Sequence, residues 1–197
     1  MKPTIFNYYR LLILLLPLLP VFQQCSDENG QENCNMLPDR DFTGTLRFEY
    51  SRSFPTFSIT IDMDVELYKS GDIVISQPSG RHYDATAEEP KTVKIRETGD
   101  IIISSLSGEY KIDDDKAYII VSANTAIDGT MTVWGWDDEH GWVNPVEIPF
   151  SPGSPVASPM KFDFTSAGFE EIIGATSPAY NGTVTARWIL GLMPLLE

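Results

Sequence analysis

Three tryptophans and an acidic turn lie close together in the sequence and are the residues best suited to binding a ligand. Trp134 and Trp136 precede the turn Asp137–Gly141, and Trp142 follows it. In a β-hairpin closed by this turn the three indoles share one face, because side chains alternate along a strand. Exposed indole rings stack on the apolar faces of sugars, so this face is a candidate glycan-binding surface.

The same tryptophans also fit a buried position. Counting by twos from Trp142 leads to Asn144, Val146, Ile148 and Phe150, which form a mostly apolar series. An apolar strand face normally packs inward. The sequence therefore leaves two interpretations open, core packing and a binding platform, and it favours core packing.

The turn after Trp136 offers oxygen ligands for a metal. Asp137, Asp138 and Glu139 are consecutive, and Ca²⁺ takes six to eight oxygens from such loops. The ligand spacing of an EF-hand is missing, however, and acidic turns commonly serve solubility and local hydrogen bonding. The sequence predicts no cofactor, with Ca²⁺ at this turn as the alternative.

A second set of acids could do hydrolytic chemistry. Asp62, Asp64 and Glu66 alternate along one predicted strand, about 6.6 Å apart, and paired carboxylates hydrolyse glycosidic bonds. Lys94 and Arg96, on the outward face of a later strand, could instead neutralise these acids across the sheet. A solvated acidic face is the preferred interpretation.

Nucleophilic catalysis has little support in the sequence. The chain has two histidines, His82 and His140, and it contains neither a Gly-x-Ser-x-Gly elbow nor a His-Glu-x-x-His helix motif. We therefore assign no catalytic residue and predict a protein that is not an enzyme.

Strand patterns dominate the chain from Phe42 onward. Phe57–Tyr68 alternates strictly between apolar and polar residues, which indicates a strand with one buried face. About ten short segments of this kind, separated by turns, predict an all-β antiparallel sandwich over residues 42–197, with an up-and-down, lipocalin-like barrel as the alternative. Ser166–Gly174 is the one candidate helix. The last strand, Thr183–Leu192, should be paired within the chain.

Some segments show turn signals instead. We expect a polar loop from Gln77 to Pro90 and a hairpin turn at Thr98–Asp100. In the last strand, Trp188 lies on the apolar face, and we expect that face to be buried.

The N-terminal segment has the composition of an export signal. Lys2 and Arg10 precede the uncharged, leucine-rich run Leu11–Phe22. As a helix this run would span about 18 Å, which is shorter than the ~30 Å hydrocarbon core of a bilayer. Residues 1–24 are therefore predicted to be a signal peptide rather than a membrane anchor.

The sequence around the first cysteine resembles the lipoprotein signals of Bacteroidota. The segment Val21–Asn29 reads Val-Phe-Gln-Gln-Cys-Ser-Asp-Glu-Asn, with a change from apolar to polar residues at Cys25. The resemblance implies lipidation of Cys25, anchoring in the outer membrane and display on the cell surface. Residues 25–41 would then be a flexible tether. The alternative is a disulfide between Cys25 and Cys34.

The chain is strongly acidic, with a formal net charge of −14, and loss of the leader and its two basic residues takes this to −16. Such a charge repels phosphate backbones, so nucleic acid is excluded as a partner. We expect a surface lipoprotein whose non-catalytic β-domain binds extracellular glycan or protein. A small carboxylate-based glycan-active enzyme and a barrel carrying a small apolar ligand are the alternatives.

Overall fold

A computed structural model of the chain describes residues 37–113, 116–151, 156–164, 169–179 and 182–195. Residues 1–36 lie outside the described residues, so the signal peptide, the lipidation of Cys25 and its alternative disulfide with Cys34 stay predictions. Met36–Glu197 forms one compact unit. It contains every residue of the hydrophobic core and therefore has what it needs to fold alone.

Ten strands run through the described residues. They are β1 (Phe42–Ser53), β2 (Thr56–Leu67), β3 (Ile73–Ile75), β4 (Arg81–Glu89), β5 (Val93–Asp113), β6 (Lys116–Asp137), β7 (Gly141–Phe150), β8 (Met160–Phe164), β9 (Phe169–Ala179) and β10 (Gly182–Pro194). The number of strands is as predicted, but most are longer than the short strands expected, and β5 and β6 have 21 and 22 residues.

The strands form two antiparallel sheets. Sheet 1 has the order β3-β2-β1-β10-β9, and sheet 2 has the order β4-β5-β6-β7, with β8 paired to the first part of β6. The all-β sandwich is confirmed. The barrel alternative is wrong, because the described strands form two separate sheets rather than one closed ring.

The core lies between the inner faces of the two sheets. In β2 the burial alternates residue by residue, as the sequence predicted. The last strand is confirmed as an internal one, because β10 pairs with both β1 and β9. Its Trp188 is 1% exposed and packs against Phe48, with ring centroids 4.8 Å apart. Burial of apolar area of this kind is the main stabilising term.

The predicted helix at Ser166–Gly174 is wrong where it can be checked. Residues 165–168 lie outside the described residues, but Phe169–Gly174 belongs to β9. Strand β9 is the last strand of sheet 1 and alternates between half-buried and exposed positions from Glu171 to Ser177. Its half-buried face is too weakly apolar to show a clear period of two, which explains the error.

Two predicted turns are also strands. Arg81–Glu89 is β4 rather than a loop, and β5 runs through Thr98–Asp100 without a turn. Gly99 is needed there for space, because a Cβ would lie 2.8 Å from the Asp128 carbonyl oxygen and 2.9 Å from the Tyr83 hydroxyl. Glycine therefore marks close packing at this position rather than a turn.

The two ends of the sandwich are named here by β1: the entry end is where the chain enters β1 at Phe42, and the far end is where β1 ends at Ser53. At the entry end, Leu195 N donates to the Asp41 carbonyl (2.9 Å) and Lys69 N donates to the Asp41 side chain (2.7 Å). Leu37–Asp41, assigned to the tether by sequence, thus contacts the domain. Strand β1 then runs for 12 residues, about 40 Å, to the far end, where the β1–β2, β4–β5 and β6–β7 turns lie.

Candidate functional site

The three tryptophans of β6 and β7 lie together on the outer face of sheet 2, which we call the tryptophan face. Trp134 is opposite Lys94, and Trp136 is opposite Trp142. The rings of Trp136 and Trp142 meet edge to face with centroids 5.1 Å apart. All three are half-buried, so they belong neither to the core nor to a flat, fully exposed platform.

A β-bulge explains why Trp142 does not share a face with Val146 and Ile148. Between the pairs Val133–Val146 and Gly135–Val143, strand β7 has one more residue than β6, and Asn144 has a positive φ of 52°. The extra residue reverses the alternation of side chains along β7. Trp142 therefore points outward while Val146 and Ile148 point inward, and the interpretation based on counting by twos was wrong.

Carboxylates fix the orientation of two of the indoles. Trp142 Nε1 donates to Glu88 Oε1 (2.8 Å), a contact that joins the last strand of sheet 2 to its first. Trp136 Nε1 donates to Asp138 Oδ1 (3.0 Å). Two lysines also approach these rings: Lys91 Nζ lies 5.7 Å from the ring centroid of Trp136, and Lys94 Nζ lies 5.6 Å from that of Trp134. The tryptophan face is therefore an ordered cluster of rings and charges.

In the acidic turn, Asp137 accepts hydrogen bonds from other residues of the turn. Asp137 Oδ1 accepts bonds from the backbone N–H groups of Glu139 (2.9 Å) and His140 (2.8 Å) and lies 2.8 Å from His140 Nδ1. The His140 side chain and then these N–H groups lower the pKa of Asp137. Within the described part of the chain no group of three His, Cys, Asp or Glu residues is placed to hold a metal ion.

The acids of β2 lie on the outer face of sheet 1, whereas the basic residues predicted to pair with them lie in sheet 2. Asp62 pairs with Arg47 on the neighbouring strand (Nε to Oδ1, 2.7 Å). Arg96 instead pairs with Asp84, and Lys94 with Glu88, within sheet 2. The cross-strand pairing of the acids with Lys94 and Arg96 was therefore wrong, because β2 and β5 belong to different sheets.

A groove that the sequence did not reveal lies on the other face of the same hairpin. It has a volume of about 970 Å³, and its apolar lining consists of Phe54, Val93, Val133, Trp134, Val146 and Ile148, so that Trp134 borders both the groove and the tryptophan face. The side chains of Val146 and Ile148 are 57% and 38% exposed although they point to the inner side of sheet 2. This size falls within the range of small-molecule sites.

A buried ion pair closes the inner side of this region. Arg52 Nη1 lies 2.9 Å from Glu97 Oε2, and Glu97 is fully buried. Tyr83 donates its hydroxyl to Glu97 (3.1 Å), and Arg52 Nε donates to the carbonyl of Phe54, a groove residue (2.8 Å). Burial raises the pKa of Glu97, and Arg52 opposes that change.

Comparison of the chain with protein-family models, with curated protein sequences and with solved structures gave no match. In the described part of the chain, no helix has the length and apolar character needed to cross a membrane.

Proposed function

We propose that this chain is an exported lipoprotein, anchored through Cys25, whose β-sandwich binds an extracellular glycan on the tryptophan face without catalysis. The observation that carries the proposal is the cluster of three half-exposed indoles at the far end of the domain. Rings held in place by Glu88 and Asp138 lose little freedom when a sugar stacks on them. Neighbouring lysines and carboxylates can bond to sugar hydroxyls.

The position of this face suits a tethered receptor. The tether joins the domain at Leu37, at the entry end, and β1 leads from there to the far end about 40 Å away. The tryptophan face lies at that far end, because Lys91 of the β4–β5 turn approaches Asp138 of the β6–β7 turn (3.7 Å). A ligand outside the cell would therefore meet the indoles first.

Tryptophan fluorescence of the isolated domain (Met36–Glu197) tests glycan binding directly. Trp188 is buried and serves as an internal reference, so acrylamide should quench only part of the emission. Among soluble neutral and acidic polysaccharides, at least one should protect the quenchable part. Trp142→Ala should weaken that binding about two- to twelvefold, because stacking contributes about 0.5–1.5 kcal/mol per ring.

The matched control is Ile172→Ala, which removes an exposed apolar side chain from sheet 1. It should leave glycan affinity unchanged. A panel in which no polysaccharide alters quenching, or an equal loss in both variants, would refute glycan binding on this face.

The anchor has its own test in the full chain, expressed in a Gram-negative host. Cys25→Ala should move the protein from the membrane fraction to the soluble fraction, because the acyl chains that hold it are gone. Cys34→Ala, the matched control, should stay with the membrane. If the cysteines instead form a disulfide, the two variants will behave alike, and the lipoprotein proposal fails.

A further inference from the structure

The groove has the features of a second binding site, which shares Trp134 with the tryptophan face but not Trp136 or Trp142. Its floor consists of four β-branched side chains: Val93, Val133, Val146 and Ile148. Val146 is more than half exposed at 57%, which is unusual for an aliphatic side chain on the inner side of a sheet. An apolar surface in a concavity of about 970 Å³ releases water when an apolar ligand covers it.

The charge around the groove favours a positively charged ligand. Glu89 is the charged residue of its lining. The lysines nearest in sequence, Lys91 and Lys94, approach the indoles on the opposite face. The whole chain carries a net charge of −14. A cation is therefore attracted to this groove, and an anion is repelled.

The edge of the sheet disfavours a peptide. An extended peptide would have to pair with β7, the last strand in the order of sheet 2. Pro145 and Pro149 lie within that strand and lack the N–H donors that pairing needs, and the bulge at Asn144 disturbs its register. The ligand that fits is a small molecule rather than an added strand.

We propose that the groove binds a small amphipathic cation, with its apolar body on Val146 and Ile148 and its ammonium group beside Glu89. The groove borders Trp134, but Val146 and Ile148 point to the opposite side of sheet 2 from Trp142, which is not part of the lining. The two proposals can therefore fail separately.

Three small-molecule probes, which differ from one another only in head-group charge or in the presence of an octyl tail, test the proposal on the isolated domain. Octyltrimethylammonium, kept below its micelle concentration, should bind about tenfold more tightly than octanesulfonate, which has the same tail and the opposite charge. Tetramethylammonium, which lacks the tail, should bind about a hundredfold more weakly. The methyl NMR signals of Val146 and Ile148 should shift on binding.

Variants then locate the charge and the apolar surface. Glu89→Gln should weaken octyltrimethylammonium binding about two- to fivefold. Glu147→Gln makes the same change in net charge on the outer side of β7, opposite Thr132, and should have no effect. The double variant Val146→Asn/Ile148→Asn should weaken binding about tenfold, and both positions are exposed enough to tolerate the change.

The outcomes separate this site from the tryptophan face. Trp142→Ala should leave the affinity for octyltrimethylammonium unchanged. If Trp142→Ala abolishes that binding, the cation binds on the indoles, and the groove proposal is overturned. Equal losses in Glu89→Gln and Glu147→Gln, or equal affinity for octanesulfonate, would overturn it as well, because binding would then follow net charge or the tail alone.

Discussion

Arg52→Met will lower the free energy of unfolding of the domain by about 3–5 kcal/mol, because it leaves the buried carboxylate of Glu97 without its cation. The side chain of Arg52 is 4% exposed and that of Glu97 is fully buried, so water cannot replace the lost partner. Urea unfolding followed by far-UV circular dichroism measures the change.

The double variant Arg52→Met/Glu97→Met should recover much of that loss, because removal of both charges leaves no buried ion. Tyr83 would still lose its hydrogen-bond acceptor, so recovery should be incomplete. A double variant as unstable as the sum of the two single variants would show that the ion pair is not the source of the effect.

The loss in Arg52→Met should also depend on pH. Burial already raises the pKa of Glu97 above its ordinary value of 4.5, and removal of Arg52 raises it further. The native state then binds a proton more readily than the unfolded chain, so stability falls as pH rises from about 4.5 through the native-state pKa. Arg52→Met should thus lose less stability at pH 4 than at pH 7, and Glu97→Gln in the same background should remove this difference.

Among glycine-to-alanine substitutions in sheet 1, we expect Gly44→Ala to lower the free energy of unfolding the most. A Cβ at Gly44 would overlap the carbonyl oxygen of Gly191 on β10 and lie 2.9 Å from the Cα of Leu192. These are backbone atoms, so relief requires β1 and β10 to separate locally. We expect a loss of about 3 kcal/mol or more in the free energy of unfolding.

The matched control is Gly191→Ala, which adds the same methyl group to the neighbouring strand. A Cβ at Gly191 meets nothing within 4 Å. Its stability should therefore change by no more than about 1 kcal/mol. Similar losses in the two variants would indicate that the close approach of the strands at Gly44 does not control stability.

The sequence predicted those parts of the fold in which one face of a strand is clearly apolar. Phe57–Leu67 and Met160–Phe164 show this pattern, and both are strands close to the predicted limits. Strand β4 was missed because Tyr83 is its one buried residue, so its alternation of alanines with polar residues gives little signal.

The positions of the candidate sites could not be predicted from the sequence as well as the strands could. One extra residue at Asn144 puts Trp142 on the opposite side of sheet 2 from Val146 and Ile148, and a bulge has no reliable signature in a single sequence. The groove follows from the same bulge and from Phe54, which lies in the turn between β1 and β2 of the other sheet. Arg52 and Glu97 are 45 residues apart, so only the packing of the sheets brings them together.

The placement of β1 has a mechanical consequence. Leu37–Asp41 leads directly into β1, the middle strand of sheet 1, which is paired with β2 and β10 along almost its whole length. The hydrogen bonds of antiparallel strands lie across the strand direction. A pull on the chain at Leu37, against a ligand held at the far end, therefore loads both ladders in shear, so that many bonds must break together. If the domain is anchored and binds a ligand as proposed, this arrangement would keep it folded under tension between the two.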